Sequence, residues 1–180
     1  MKILITGGLG YIGSNIVLKL LKKNHKILVI DNLSNSNLSV IKKINFLTKK
    51  KFLFKKEDCK NRKKIFNIFK QFKPNLVIHL AGLKSVAESI VKPKKYLNEN
   101  LKSTFVIVDA IIKYNTKKLI FSSSATVYGN PKYLPVDEKH DTRPTNPYGK
   151  TKLLIEKFLK NICTNNKNLS IVSLRYFNPV

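Results

Sequence analysis

An α/β domain built on a doubly wound parallel sheet is predicted for this 180-residue chain by three features of its sequence. Short apolar runs alternate with amphipathic helical stretches from end to end. No hairpin signal joins successive runs, so each pair needs a crossover connection. A glycine cluster stands where the first run gives way to the first helix. One domain over 1–180 is expected at this length, and a hydrophobic content of 43% argues against disorder.

"KILIT" at 2–6 reads as a strand buried on both faces. "YIGSNIVLKLLKKN" then sets Ile12, Ile16, Leu20 and Leu21 along a helical face. "KILVI" is a second strand running into Asp31, "DNLSNSN" a loop by composition, and "SVIKKINFL" a helix. "KFLF" is the third strand, followed by the loop "KKEDCKN" and a helix over "RKKIFNIFKQF". Pro74 and Asn75 punctuate before a fourth strand, "LVIHLAG". "PKKYLNENLKSTFVIVDAIIKYN" is a long helix with an apolar stripe through Leu97, Leu101, Phe105, Val108 and Ile112. "KLIFSSS" is the fifth strand. "YGNPKYLPVDEKHDTRPTNP" is rich in turn formers and long for a structureless segment, the kind of excursion that carries function. "YGKTKLLIEKFLKNIC" is helical and "LSIVSLRYF" is the sixth strand.

Lysine and arginine number 35 against 10 acids, a net charge of +25. A nucleic-acid or anionic-membrane surface is one reading of that excess. Against it, the lysines run along the whole chain, and only Arg62, Arg143 and Arg175 offer the planar fork suited to phosphates. A lysine-coated surface, of the composition AT-rich coding produces, is the plainer reading. Neither nucleic acid nor membrane is therefore expected as a partner. Cys59 and Cys163 stand far apart and read as reduced thiols, and His25, His79 and His140 are scattered singly, so no metal is expected. The apolar run of "MKILITGG" is too short for a signal peptide, and no stretch approaches the roughly 18 apolar residues of a membrane span. A cytoplasmic location is expected.

"TGGLGYIGS" spaces Gly7, Gly10 and Gly13 three apart between the first strand and helix. Such a turn needs residues without a Cβ, so that the chain can bend and its backbone approach a pyrophosphate. The helix that follows aims free N–H groups and its positive dipole end at the same phosphates. Glycines can also serve packing alone, but the second strand argues for a ligand. It ends at Asp31, 18 positions after Gly13, where a carboxylate can accept from both hydroxyls of an adenosine ribose and would repel a 2′-phosphate. NAD is the expected cofactor, in preference to NADP, and the chain's positive field would attract such a dianion.

"NPYGKTK" puts Tyr148 and Lys152 one helical turn apart, with Pro147 suited to the first turn. A tyrosine with its ordinary pKa of about 10 is a poor base at neutral pH. A neighbouring ammonium, the helix dipole and the cationic ring of NAD⁺ all favour its phenolate. On most helices such a pair is merely a solvated one. Here "SSSATVYG" follows the fifth strand directly, which sets Ser124 at the carboxyl end of the sheet, where open α/β folds bind ligands. A serine there can donate to a substrate oxygen and extend a hydrogen-bond network to the tyrosine.

Together, "TGGLGYIGS", "DNLSNS", "HLAGLKSVAES", "FSSSATVYG", "NPYGKTK" and "LRYFNPV" make the chain resemble the extended short-chain dehydrogenase/reductase family, and within it the nucleotide-sugar 4-epimerases, from Met1 to Val180. The resemblance implies a Rossmann-like domain and NAD-dependent interconversion of UDP-galactose and UDP-glucose. The tyrosine matching Tyr148 takes the proton of the sugar 4-hydroxyl while hydride leaves C4 for NAD⁺. The 4-keto sugar then turns, and hydride returns to its other face. Lys152 is implied to contact the nicotinamide ribose and lower the tyrosine pKa, and Ser124 to bond the reacting oxygen. Tyr11 and Ile12 would line the pyrophosphate turn. Asp31, Asn32, Leu33, Ser34, Asn35 and Ser36 would surround the adenosine ribose, with Asp58 and Cys59 facing adenine. Leu80, Ala81, Gly82, Leu83 and Lys84 would pass along the cofactor, Phe177 would lie by the nicotinamide and Asn178 by the substrate. A homodimer through the helices near 93–115 and 147–164 is implied as well.

Two departures from the family pattern matter. Where the family reads roughly Asn-Asn-Val-x-Gly-Thr, this chain has "ENLKST", so Glu99 replaces a cofactor-contacting asparagine and Ser103 a glycine, while Asn100 is kept. A carboxylate pointing inward at position 99 should weaken cofactor binding. The family's smaller C-terminal domain, which grips the substrate nucleotide, is expected to be largely absent. An NAD-binding module without turnover of its own and an epimerase of another UDP-sugar stay open as readings. A dehydratase is disfavoured, because it needs a further acid and base and "SSSATV" offers no acid.

Overall fold

The structure, a computed structural model, describes residues 1–179; Val180, the last residue of the expected domain, lies outside the described residues. Six strands form one parallel sheet: β1 (Lys2–Thr6), β2 (Lys26–Asp31), β3 (Leu53–Lys56), β4 (Leu76–His79), β5 (Lys118–Ser124) and β6 (Ser170–Tyr176). They are joined by α1 (Tyr11–Lys22), α2 (Ser39–Thr48), α3 (Arg62–Phe72), α4 (Val86–Val91), α5 (Pro93–Lys113) and α6 (Pro147–Asn165). The strand order is β3-β2-β1-β4-β5-β6. The winding reverses between β1 and β4, so the connections leaving their carboxyl ends part in opposite directions and open a crevice.

Successive strand residues point to opposite faces, and both faces are covered. Leu4, Leu28, Ile30, Val77, Leu119 and Phe121 enter a core shared with α3, α5 and α6. Ile3, Ile5, Ile27, Val29 and Ile78 pack the other way, with Val17 and Leu21 of α1 and Ile44 of α2. Each such side chain contributes roughly 1.5–3 kcal/mol on burial. That two-sided demand is why these strands read as unbroken apolar runs.

Four elements differ from what the sequence leads one to expect. The third strand begins at Leu53, because pairing with β2 sets Leu28 beside Leu53 and Asp31 beside Lys56. The fourth ends at His79, and Leu80–Gly82 already belong to the loop above the sheet. Helix α4 was not anticipated, since six residues are too few to display a 3.6-residue period. Helix α5 also turns its expected stripe partly outward. Leu97, Phe105 and Ile112 are exposed, while Tyr96, Asn100, Thr104, Ile107 and Ile111 face the core, where the two polar members find partners. Among the described residues no helix is long and apolar enough to cross a membrane.

Candidate active site

The turn after β1 contains glycines with different duties. Gly7 has φ +67°, and a Cβ there would lie 2.8 Å from the backbone nitrogen of Ala81. A Cβ on Gly13 would lie 2.4 Å from the carbonyl oxygen of Gly7. Neither position admits a side chain. At Gly10 an added Cβ would meet only the Gly7 oxygen, at 3.4 Å, so the protein itself does not demand glycine. The space it leaves open belongs to a cleft of about 840 Å³ at the carboxyl ends of the strands.

That cleft gathers the predicted residues. Gly7, Gly10, Tyr11, Ile12, Gly13, Asp31, Asn32, Ser34, Asn35 and Ser36 line one end, and Asp58, Cys59, Leu80, Ala81, Gly82, Leu83, Lys84, Ser124, Tyr148, Lys152, Phe177 and Asn178 line the rest. Leu33 is the exception. With φ 64° it turns its side chain onto the α1–α2 core, the natural refuge for the loop's one apolar residue, and offers only its N–H to Asp31. Cys59 reaches the cleft wall from the core, and burial, then Asp58, pushes its thiol up to about 12. Lys84 stands exposed at the rim. Phe177 is 60% exposed and stacks on Tyr128, ring centres 6.3 Å apart.

Asp31 is buried and already employed. It accepts from the N–H groups of Leu9 at 3.1 Å and Leu33 at 3.0 Å and from the Ser36 hydroxyl at 2.8 Å. A carboxylate has about four acceptor positions, so room remains for about one more donor. Two ribose hydroxyls therefore both fit only if Ser36 gives way. The carboxylate's first task is to pin the glycine turn to the loop after β2.

Tyr148 owes its place to the start of α6. Asn146 caps the helix, accepting from the Gly149 N–H at 2.8 Å, and Pro147 occupies its first turn. Gly149 lets α6 press on the 3₁₀ turn Ala125–Val127, where a Cβ would lie 2.6 Å from the Thr126 oxygen. The Tyr148 N–H donates to the buried Ser89 hydroxyl oxygen of α4 at 3.2 Å, and its ring meets that of Tyr96 edge-on at 6.4 Å. The side chain is left 8% exposed beside Ser124. Ser124 Oγ accepts from the Thr126 N–H at 3.2 Å and hydroxyl at 3.0 Å, so its own proton is available to the phenol or to a ligand oxygen.

One turn on, Lys152 is 5% exposed. Its Nζ donates to the Ser122 oxygen at 2.7 Å and lies 5.8 Å from the centre of the Tyr148 ring. Burial brings the ammonium down to about 8, with Glu156 acting against it. Burial also raises the Tyr148 phenol, opposed by the Ser124 hydroxyl. The sequence reading had Lys152 lowering that phenol. In the structure burial is the main influence on the phenol and raises it, and the ammonium is bonded to a carbonyl rather than to the tyrosine. Behind the pair, Glu156 accepts from Ser123 and holds Arg175 at 2.7 Å, whose guanidinium covers the Tyr128 ring at 4.8 Å. This joins α6, β5 and β6 into one support.

A second support was not legible, because His79 reads as a solitary histidine. The Ala81 N–H donates to Thr6 Oγ1 at 3.2 Å, and that hydroxyl donates to His79 Nδ1 at 2.7 Å. His79 Nε2–H donates to Thr104 Oγ1 at 3.2 Å, which donates to the Asn100 oxygen at 2.8 Å. Asn100 in turn accepts from the Leu83 N–H at 2.8 Å and donates to the Leu83 oxygen at 3.1 Å. The partners define the tautomer, and the relay requires a neutral ring. Burial holds its pKa at about 3. Thr6, His79, Thr104 and Asn100 thus fix the loop from 80 to 84.

A dinucleotide fold whose serine, tyrosine and lysine converge at the carboxyl end of the sheet places the molecule among the short-chain dehydrogenase/reductases. The model of the family described as GDP-mannose 4,6 dehydratase matches residues 4–180, and the chain belongs to that family. Among curated proteins it is similar to UDP-glucose 4-epimerase of Bacillus subtilis, 44% identical over 179 residues, which cover 99% of this chain and 53% of that protein. UDP-glucose 4-epimerase of Homo sapiens is 43% identical over 185 residues, covering 99% and 53%. The crystal structure of UDP-glucose 4-epimerase from Bifidobacterium longum in complex with NAD⁺ and UDP matches with a TM-score of 0.98 at 40% identity, over 100% of this chain and 54% of that one. The chain spans about half the length of the curated relatives it matches.

Proposed function

We propose that the chain binds NAD and carries the catalytic residues of a UDP-galactose/UDP-glucose 4-epimerase. The carrying observation is that Ser124, Tyr148 and Lys152 meet in the cleft onto which Gly10 opens. The residues fit a dinucleotide. Gly10 leaves backbone bare where a pyrophosphate needs close approach, and Asp31 keeps an acceptor position at the end of β2. Bound NAD would supply the acceptor and then the donor of a hydride at sugar C4.

Tyr148 would take the proton of the 4-hydroxyl, and the free Ser124 proton would bond the same oxygen. Because burial raises the phenol, Tyr148 becomes a base only with positive charge nearby, from Lys152 and from an oxidised nicotinamide. Lys152, steadied on the Ser122 oxygen, would hold the nicotinamide ribose. Among the described residues the side-chain carboxylates lining the cleft are Asp31, Glu57, Asp58 and Glu99, none of them from the segment 122–152. A dehydratase would need an acid there, which favours epimerisation.

The test is conversion of UDP-galactose to UDP-glucose by the chain with NAD⁺, beside a Tyr148→Phe variant. Turnover that falls roughly 10²–10⁴-fold in the variant is expected. Folded chain that binds NAD and turns over no UDP-sugar would favour a second reading, an NAD-binding module without turnover of its own. Turnover of UDP-N-acetylglucosamine but not UDP-galactose would redirect the substrate. The proposal includes a second copy of the chain, packed against exposed Leu97, Phe105 and Ile112 of α5 and Leu154 of α6. It also includes a cytoplasmic setting, in keeping with the free thiols of Cys59 and Cys163.

A further inference from the structure

The acids of the chain are not spread like its lysines. Among the described residues, four side-chain carboxylates, Asp31, Glu57, Asp58 and Glu99, face three ammoniums, Lys60, Lys84 and Lys152, around the cleft. A chain of net charge +25 therefore surrounds a site that is, on formal charge, slightly acidic. A dinucleotide adds the two negative charges of its diphosphate. Lys152 is committed to the Ser122 oxygen and Lys84 stands at the rim. Lys60 sits among the acids: its Nζ bonds Glu99 Oε2 at 2.5 Å and lies 3.5 Å from Asp58 Oδ2. The Glu99 contact is the main reason the ammonium is raised above its ordinary value.

We propose that Lys60 is a positioning and charge-compensating residue for the dinucleotide: it cancels the carboxylate of Glu99, and the balance of that pair sets the cleft's affinity for the diphosphate. The inference rests on the NAD reading above. Both side chains are partly exposed, so the ion pair itself adds little to stability. A change of net charge inside a protein-walled cleft nevertheless acts on an entering dianion at longer range. Without Lys60, Glu99 and Asp58 confront the diphosphate uncancelled and binding weakens. Without the Glu99 carboxylate, Lys60 is released as an extra cation and binding holds or tightens. A purely structural tie between the turn after β3 and α5 would instead be broken equally by either change.

Calorimetric NAD⁺ affinities of the chain, Lys60→Met, Glu99→Gln, the double variant and Lys60→Arg separate these cases, with a thermal melt of each to show that it is folded. Lys60→Met is expected to bind about tenfold more weakly, and Glu99→Gln at least as tightly as the parent. The double variant should return to within about threefold, and Lys60→Arg should match the parent. The Lys60→Met deficit should shrink as ionic strength rises toward about 0.5 M. Parent-like affinity in Lys60→Met, or a Glu99→Gln variant as weak as Lys60→Met, would overturn the compensation while leaving the dinucleotide reading intact. A folded parent that binds no NAD⁺ would overturn both.

Discussion

Gly10 and Gly13 are equivalent in the sequence motif and unequal in the molecule. Alanine at 13 forces a Cβ to 2.4 Å from the Gly7 oxygen, an overlap between backbone segments that cannot rotate away. It should cost roughly 1–3 kcal/mol or more in urea melts. Alanine at 10 meets open cleft and should change stability by no more than about 1 kcal/mol, chiefly through a poorer helix N-cap. Its effect should fall instead on NAD⁺ affinity, by about tenfold or more, because the methyl group would occupy the approach proposed for the pyrophosphate. Equal NAD⁺ affinity in Gly10→Ala and parent would contradict that assignment. The motif was legible in the sequence, but the division of labour was not, since it depends on where the Gly7 oxygen and Ala81 come to lie. Leu33 teaches the same point: its neighbours face the cleft, while a left-handed backbone and an apolar side chain send it into the core.

Helix α4 and strand β4 carry supports that no pattern of spacing announces. Ser85 caps α4 by accepting from the Glu88 N–H at 3.1 Å, and Ser89 beyond it accepts the Tyr148 N–H. In β4, His79 bridges β1 and α5 through Thr6 and Thr104. An unfolded imidazole takes up a proton below its ordinary 6.5, whereas the buried ring does so only near 3. Between those values the unfolded state holds more protons, so stability falls as pH falls through this window. The parent should therefore lose several kcal/mol that a His79→Asn variant does not. The gap between them in urea melts should narrow by about 3 kcal/mol from about pH 7 to about pH 4.5. A gap independent of pH would mean that the ring is not held neutral. The six strands and five of the six helices could be read from alternation and periodicity; what anchors the loop from 80 to 84 could not, because its four polar residues come from three separate elements.

Charge and apolar surface pull the whole molecule in opposite directions. A net charge of +25 repels a second copy, while Leu97, Phe105, Ile112 and Leu154 stand exposed along α5 and α6. Phe105 of α5 and Phe158 of α6 pack edge-to-face at 4.7 Å, which ties the two helices of this face together. At the sheet margins, β3 carries Lys55 and Lys56, charges that discourage edge pairing, whereas β6 exposes Val172 and Leu174. Salt shortens the reach of repulsion from about 10 Å at 0.1 M to about 3 Å at 1 M. Sedimentation velocity should therefore show the dimer fraction rising with salt, and Phe105→Glu should hold the chain monomeric throughout. Salt-driven association that survives Phe105→Glu would move the contact elsewhere, with the β6 edge the next surface to alter.

The sequence by itself determined the doubly wound parallel sheet, the glycine turn, the acid at the end of β2 and the spacing of Tyr148 and Lys152. These are local patterns: two-sided strand burial writes unbroken apolar runs, and a turn without Cβ atoms writes glycines. Only the tertiary structure decided which side of α5 is inside, that Lys152 rests on Ser122 rather than on Tyr148, and that Glu99 meets Lys60. Each of these depends on residues 30 or more positions apart or on competing faces of one helix. Their outcome is settled by packing and desolvation, which act between elements and leave no period in the chain.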